Sequence, residues 1–146
     1  MAMTMNGEIL LAASREVVWT KLNDPVVLKS CIPGCEELER IDGDEFRAVA
    51  KMKVGPVSAR FRGRVILKDL DPPRSYNIVG EGEGGVAGFA KGGAKVNLLE
   101  RNDGTLLTYH VDAQIGGKLA QLGQRLVNGA AKKLADEFFA NLARAL

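Results

Sequence analysis

Few residues in this sequence can do chemistry, and their spacing narrows what that chemistry could be. His110 is the only histidine. Alternation with Tyr109 and Val111 points it away from the apolar face of its strand and onto the surface. Without an inward histidine, no set of nucleophile, base and orienting group can be assembled, so no catalytic residue is assigned. The two cysteines, Cys31 and Cys35, are spaced C-x3-C with no further cysteine or histidine nearby. That is too few ligands for a tetrahedral zinc site, and no metal ligand is assigned. They read as small side chains beside a turn, with Cys31 a candidate for the mouth of a cavity. Seven glycines fall between Gly80 and Gly93. Within them, Gly82-Glu83-Gly84-Gly85 lacks the following helix and the Gly-Lys-Ser/Thr that a phosphate loop needs. Glycines here instead permit bulges, tight curvature or the close approach of a ligand.

The elements that position these residues are legible from turns and periodicity. Glu8–Ala13 reads as a short strand, which Met3 and Met5 could lengthen. Ser14 suits an N-cap and Glu16 the first turn of a short helix, with Trp19 anchoring that helix to the sheet. Asp24-Pro25 opens a second short helix, stopped before Ile32-Pro33-Gly34. Turn signals at Asp42-Gly43-Asp44, Gly55-Pro56, Asp71-Pro72-Pro73-Arg74, Gly84-Gly85 and Asn102-Asp103-Gly104 then separate six strands. These are Glu36–Ile41, Glu45–Val54, Val57–Leu70, Ser75–Glu83, Val86–Arg101 and Thr105–Gly116. Such short connections force antiparallel pairing. Finally, Leu119, Leu122, Leu126, Ala130, Leu134, Phe138 and Leu142 mark one helix over about 118–145, about 40 Å long at 1.5 Å per residue. The class is α+β: a seven-stranded curved antiparallel sheet around one long C-terminal helix, with two short helices after the first strand, in a single domain spanning 1–146.

The inward faces of the strands carry little bulk. Phe46, Ala48, Ala50, Met52 and Val54 alternate on one strand; Val57, Ala59, Phe61, Gly63, Val65 and Leu67 alternate on the next. A two-residue turn at Gly55-Pro56 pairs Val54 with Val57, Met52 with Ala59, Ala50 with Phe61 and Ala48 with Gly63, bringing both apolar faces to one side. Ala90, Gly92, Ala94, Val96 and Leu98 form a third face, and Leu107, Tyr109, Val111, Ala113 and Ile115 a fourth. So many alanines and glycines imply a cavity; the alternative is a helix that sits closer and fills the space. The outward faces of the hairpin carry Arg47, Lys51, Lys53, Arg60, Arg62, Arg64 and Lys68, with Lys51 opposite Arg60 and Arg47 opposite Arg64. Like charges in direct opposition are unfavourable. This ribbon is either a solvated face or a docking surface for anionic headgroups or an acidic partner.

Composition excludes several classes. Twenty basic against eighteen acidic residues give a net charge of +2, with no bulk attraction to nucleic acid. There is no signal-peptide pattern at the start, and no apolar run approaches the roughly 18 residues of a membrane span. A cytoplasmic protein with reduced thiols is expected.

Three motifs, Cys31-Ile-Pro-Gly34, Val54-Gly-Pro56 and Gly117-Lys-Leu-Ala-Gln-Leu-Gly-Gln-Arg125, together with the element order, resemble the CoxG family, the G subunits of carbon monoxide dehydrogenase. That family belongs to the START/Bet v 1-like (SRPBCC) helix-grip superfamily, and the resemblance covers essentially the whole chain. It implies a hydrophobic cavity between sheet and helix, and a cytoplasmic accessory role beside a molybdenum-containing carbon monoxide dehydrogenase or related hydroxylase. It also implies recruitment of that enzyme to the inner membrane face and binding of a quinone or lipid. Many members continue into a flexible tail with a membrane anchor, whereas this sequence stops at Leu146, so the basic ribbon would give only weak, reversible contact. The expected cavity residues are Met52, Phe61, Phe89, Tyr109, Leu122 and Leu126, with Ile32 and Pro33 at the entrance. Arg47, Lys51, Arg60, Arg62 and Arg64 are the expected docking residues. No cofactor is expected. A protein-interaction subunit docking through the ribbon without a ligand is the rival reading. An enzyme would need inward titratable groups, of which Tyr109 is the main one.

Overall fold

The computed structural model, which describes residues 1–146, turns the alternating apolar faces of the sequence into a curved sheet. The strands are β1 (Ala2–Leu11), β2 (Cys35–Asp42), β3 (Glu45–Val54), β4 (Val57–Asp71), β5 (Ser75–Glu83), β6 (Phe89–Arg101) and β7 (Gly104–Gly116). They form one antiparallel sheet in the order β1-β7-β6-β5-β4-β3-β2. Six strands thus run as a meander, and β1 closes on β7, the last of them. The hairpin register is the one the turn demands: Val54 faces Val57, Ala50 faces Phe61 and Ala48 faces Gly63.

Between β1 and β2 lie α1 (Arg15–Leu22) and α2 (Pro25–Cys31), which carry the chain from one sheet edge to the other. Ser14 Oγ accepts the Val17 amide at 3.3 Å, and Asp24 Oδ1 accepts the Val26 amide at 2.9 Å. Each side chain satisfies a donor that the first helical turn leaves free. The following Pro33-Gly34 turn is clamped to β3. Gly34 has φ +74°, and a Cβ there would sit 2.1 Å from the Lys51 carbonyl oxygen, so only glycine fits.

The structure differs from the sequence reading at three places. First, β1 begins at Ala2, because Ala2 to Leu11 pair in unbroken register with Gln114 to Thr105 of β7. Second, Gly85–Ala87 forms a turn of 3₁₀ helix, so β6 starts only at Phe89. Third, the C-terminal helix is not continuous. A short α3 (Lys118–Gln121) is followed by Leu122 and Gly123, and α4 runs over Gln124–Ala145. Gly123 has φ +90° and ψ +158°, a conformation essentially reserved for glycine that no α-helix can contain.

The interior has two packed ends. One end gathers Leu11, Val18, Cys31, Leu98, Leu107 and Leu142, all nearly inaccessible to solvent. There the Asn141 side chain donates to the Cys31 carbonyl oxygen at 2.9 Å, fastening α4 to α2. The other end gathers Met3, Ile115, Leu119 and Val127 beneath α3 and the start of α4.

Candidate functional site: a two-chambered apolar hollow

Between sheet and α4 the space is not filled. The larger chamber has a volume of about 360 Å³. Ala48, Ala50 and Met52 of β3, Phe61 and Gly63 of β4, and Ala90 of β6 face it from the sheet. Ala130, Ala131 and Leu134 close it from α4. The smaller and more enclosed chamber, about 240 Å³, lies toward the C-terminal end of α4, under Phe46, Tyr76, Phe138 and Phe139. Ile32 and Ala48 face both chambers.

The cause of the hollow is side-chain size. At inward positions where a filled core would hold leucine or isoleucine, β3 places Ala48 and Ala50. Beside them β4 and β5 bring two glycines, Gly63 and Gly82, into direct register. Facing these, α4 presents two successive alanines. The larger chamber alone falls in the range of small-molecule sites, roughly 300–1,000 Å³. No histidine, cysteine, carboxylate, lysine or arginine faces either chamber. Both interiors therefore offer burial and shape, and Tyr76 of the smaller chamber is the one ionisable side chain on either wall.

The residues singled out from sequence fall into several places. Met52, Phe61 and Ile32 stand on the chamber walls. Pro33 lines an adjoining recess with Lys51, Lys133 and Glu137, which shares Met52, Val54, Ala130 and Leu134 with the larger chamber. Tyr109 is absorbed into the core, its ring stacked on Phe139 at 5.1 Å. Phe89 faces out: it pairs with Gly116, its ring covers that glycine, and it is 42% exposed. Leu122 packs at the margin of the Met3–Ile115–Leu119–Val127 cluster. Leu126 is 42% exposed, lying against the turn at Gly55. The helix break explains these last two. A continuous stripe would carry Leu122 and Leu126 inward, but the bend at Gly123 turns α4 so that Val127, at 7% exposure, takes the inward place. From there Val127, Ala131, Leu134, Phe138 and Leu142 keep helical spacing. Cys31 is sealed in the core at 0% exposure rather than at a mouth, and burial pushes its thiol pKa up.

Sequence reasoning missed the smaller chamber altogether. Phe46 and Phe138 are recognisable as inward residues, but Tyr76 and Phe139 join them only through the folded chain. His110, on the outer face, bridges Asn6 Oδ1 and Asp112 Oδ2, the latter at 2.9 Å. No cluster of three or more histidine, cysteine or acidic side chains that could hold a metal is formed.

The basic ribbon lies on the convex face, as alternation requires, with Lys51 opposite Arg60 and Arg47 opposite Arg64. Its compensation comes from strands on either side. Arg60 forms a two-point ion pair with Glu36 at 2.6 and 3.3 Å, and its guanidinium holds that carboxyl below the usual range. Arg47 lies 4.0 Å from Glu39. On the far side, Arg62 is registered with Glu83 and Arg64 with Glu81. The two basic strands, β3 and β4, are thus flanked by acidic side chains from β2 and β5, and the face presents no purely cationic field. No helix of the protein is long and apolar enough to cross a membrane.

Known proteins share this geometry. The family model of CoxG, the G subunit of carbon monoxide dehydrogenase, matches residues 7–146. Among solved structures, a conserved protein from Geobacillus kaustophilus superposes with a TM-score of 0.93 at 37% identity, covering 98% of this chain and 94% of that one. Two more distant structures share the fold. Ara h 8.0201 has a TM-score of 0.70 at 14% identity, covering 99% of this chain and 97% of its own. The Zhui aromatase/cyclase of Streptomyces sp. R1128 has a TM-score of 0.68 at 10% identity, covering 99% and 93%. The architecture is thus the Bet v 1-like helix grip. No curated protein matches the sequence.

Proposed function

Since the chain belongs to the CoxG family of carbon monoxide dehydrogenase, we propose that it is a non-catalytic accessory protein that carries a neutral apolar molecule, a quinone or lipid, for a carbon monoxide dehydrogenase-type molybdenum hydroxylase. The observation behind this reading is the pair of chambers, walled by apolar side chains with Tyr76 the one exception and unfilled by the protein's own side chains. Apolar burial there would contribute about 25 cal/mol for each Å² of ligand surface removed from water. A wall whose one ionisable side chain is the buried phenol of Tyr76 favours holding over reacting, which is why a catalytic role is set aside even though a structural neighbour is an aromatase/cyclase.

Contact with the membrane surface, in the same proposal, would be made through the convex ribbon. The convex ribbon carries Glu36, Glu39, Glu81 and Glu83 among its arginines, so headgroup attraction would be local, reversible and salt-sensitive. The same interleaving speaks against a ligand-free subunit that docks through a cationic face.

Native mass spectrometry on protein purified from its own host tests the carrier reading. An apolar adduct that organic solvent removes is expected. The Ala50→Trp variant, which places an indole in the larger chamber, should lose both the adduct and displacement of an apolar fluorescent dye. Retention of dye affinity by a folded Ala50→Trp protein would sink the assignment to this hollow.

A further inference from the structure

Among the side chains that line the smaller chamber, only that of Tyr76 carries a polar atom, its hydroxyl. Tyr76 stands on β5 opposite Val96 of β6, is 4% exposed, and meets Trp19 edge-on at 5.2 Å. Only burial acts on its ionisation, pushing it upward, with no hydrogen bond or neighbouring charge contributing. The phenol is therefore protonated, a donor, throughout the physiological range. The one fully enclosed side-chain nitrogen or oxygen without a partner is Arg15 Nε. The Tyr76 oxygen, which has no hydrogen-bond partner, is not fully enclosed, and the chamber is the open space that Tyr76 lines. A resident water is a poor occupant, because buried water needs about three polar partners and this wall of side chains offers one.

We propose that the smaller chamber seats the polar end of the ligand: a neutral molecule whose carbonyl oxygen accepts a hydrogen bond from the Tyr76 hydroxyl while its hydrocarbon portion extends past Ile32 and Ala48 into the larger chamber. This rests on the carrier reading above and adds to it both an orientation, polar end innermost, and a ligand class. Charge narrows that class. No arginine, lysine or histidine faces either chamber, so a carboxylate or phosphate would be buried without a counterion. A ketone, ester or quinone carbonyl supplies the missing acceptor and brings no charge.

Two probes of nearly equal shape separate the possibilities: 2-acetylnaphthalene labelled with carbon-13 at its carbonyl, and 2-ethylnaphthalene, which lacks the oxygen. Binding to the full chain is measured by calorimetry, and the bound carbonyl resonance by NMR. The wild type should bind both, with the carbonyl signal displaced downfield of its position in cyclohexane. Tyr76→Phe, which removes only the oxygen, should weaken the ketone about fivefold, the worth of one neutral hydrogen bond, and leave the hydrocarbon unchanged. An equal effect on both probes, or a wild-type carbonyl signal matching cyclohexane, overturns the Tyr76 assignment while the carrier reading stands. Failure of both probes to bind the wild type overturns the two together. The wild-type resonance needs no variant, so a folding defect in Tyr76→Phe leaves that arm decisive.

Discussion

Leu142 and Ala50 both face the interior, yet substitutions at them should have opposite characters. Leu142 is wholly buried in the packed end of the core, and Leu142→Ala should cost about 2–5 kcal/mol through lost burial and a new void. Ala50 borders a space that already exists. Ala50→Trp should therefore cost less than the roughly 1–3 kcal/mol of overpacking in a filled core. Thermal unfolding of the two variants checks this contrast, and a large loss for Ala50→Trp would mean the hollow collapses in solution. Cys31 offers a further residue-scale test. Its thiol is sealed in the core and its pKa is raised by burial, so the nucleophilic thiolate is scarce at neutral pH. Iodoacetamide should reach Cys31 only on global unfolding; labelling under native conditions at the rate of a free thiol would contradict that placement.

At the scale of elements, the joint between α3 and α4 matters most. A Cβ at Gly123 would meet nothing within 4 Å, so Gly123→Ala should report the backbone term alone, about 1–3 kcal/mol. Chemical denaturation reads the loss, and an unchanged midpoint would show that the bend relaxes freely. This joint also marks where sequence reasoning ran out. Strands were legible because a period of two admits one phase per strand, and the turn at Gly55-Pro56 fixed the phase of its neighbour. That rule already put Ala90 inward and hence Phe89 outward, so placing Phe89 in the cavity overrode a signal that was present. For the helix, an isolated glycine in an apolar stripe is compatible with a continuous helix, and nothing local in Leu122-Gly123 reveals the bend that exchanges Leu126 for Val127. Tyr76 and Phe139 are far apart in the chain and meet only across the folded interior, which no periodicity encodes.

For the whole molecule, electrostatics is the property a single hairpin misrepresents. Viewed alone, β3 and β4 pair like charges; within the sheet, β2 and β5 supply the acidic neighbours. Reversing Arg62 to glutamate would set a like charge opposite Glu83, while its other cross-strand neighbour, Val49, is uncharged. That pair should destabilise the fold by about 0.2–1 kcal/mol, with the effect shrinking as salt is added. Melting temperatures at low and high ionic strength decide the matter. If the Arg62→Glu variant proves as stable as the wild type at low salt, the acidic strands are not compensating the ribbon. The same variant, tested on anionic vesicles, reports how much the face contributes to any membrane contact.

One consequence follows from Ala48, the alanine shared by both chambers. Its methyl group faces both, so for a guest that spans the two chambers it acts as a gauge of cargo length. Leucine there would set the chambers further apart, excluding such extended molecules while still admitting compact ones. Selectivity among guests in this fold could then drift by single substitutions at one strand position, without any change in the walls that make the guest welcome.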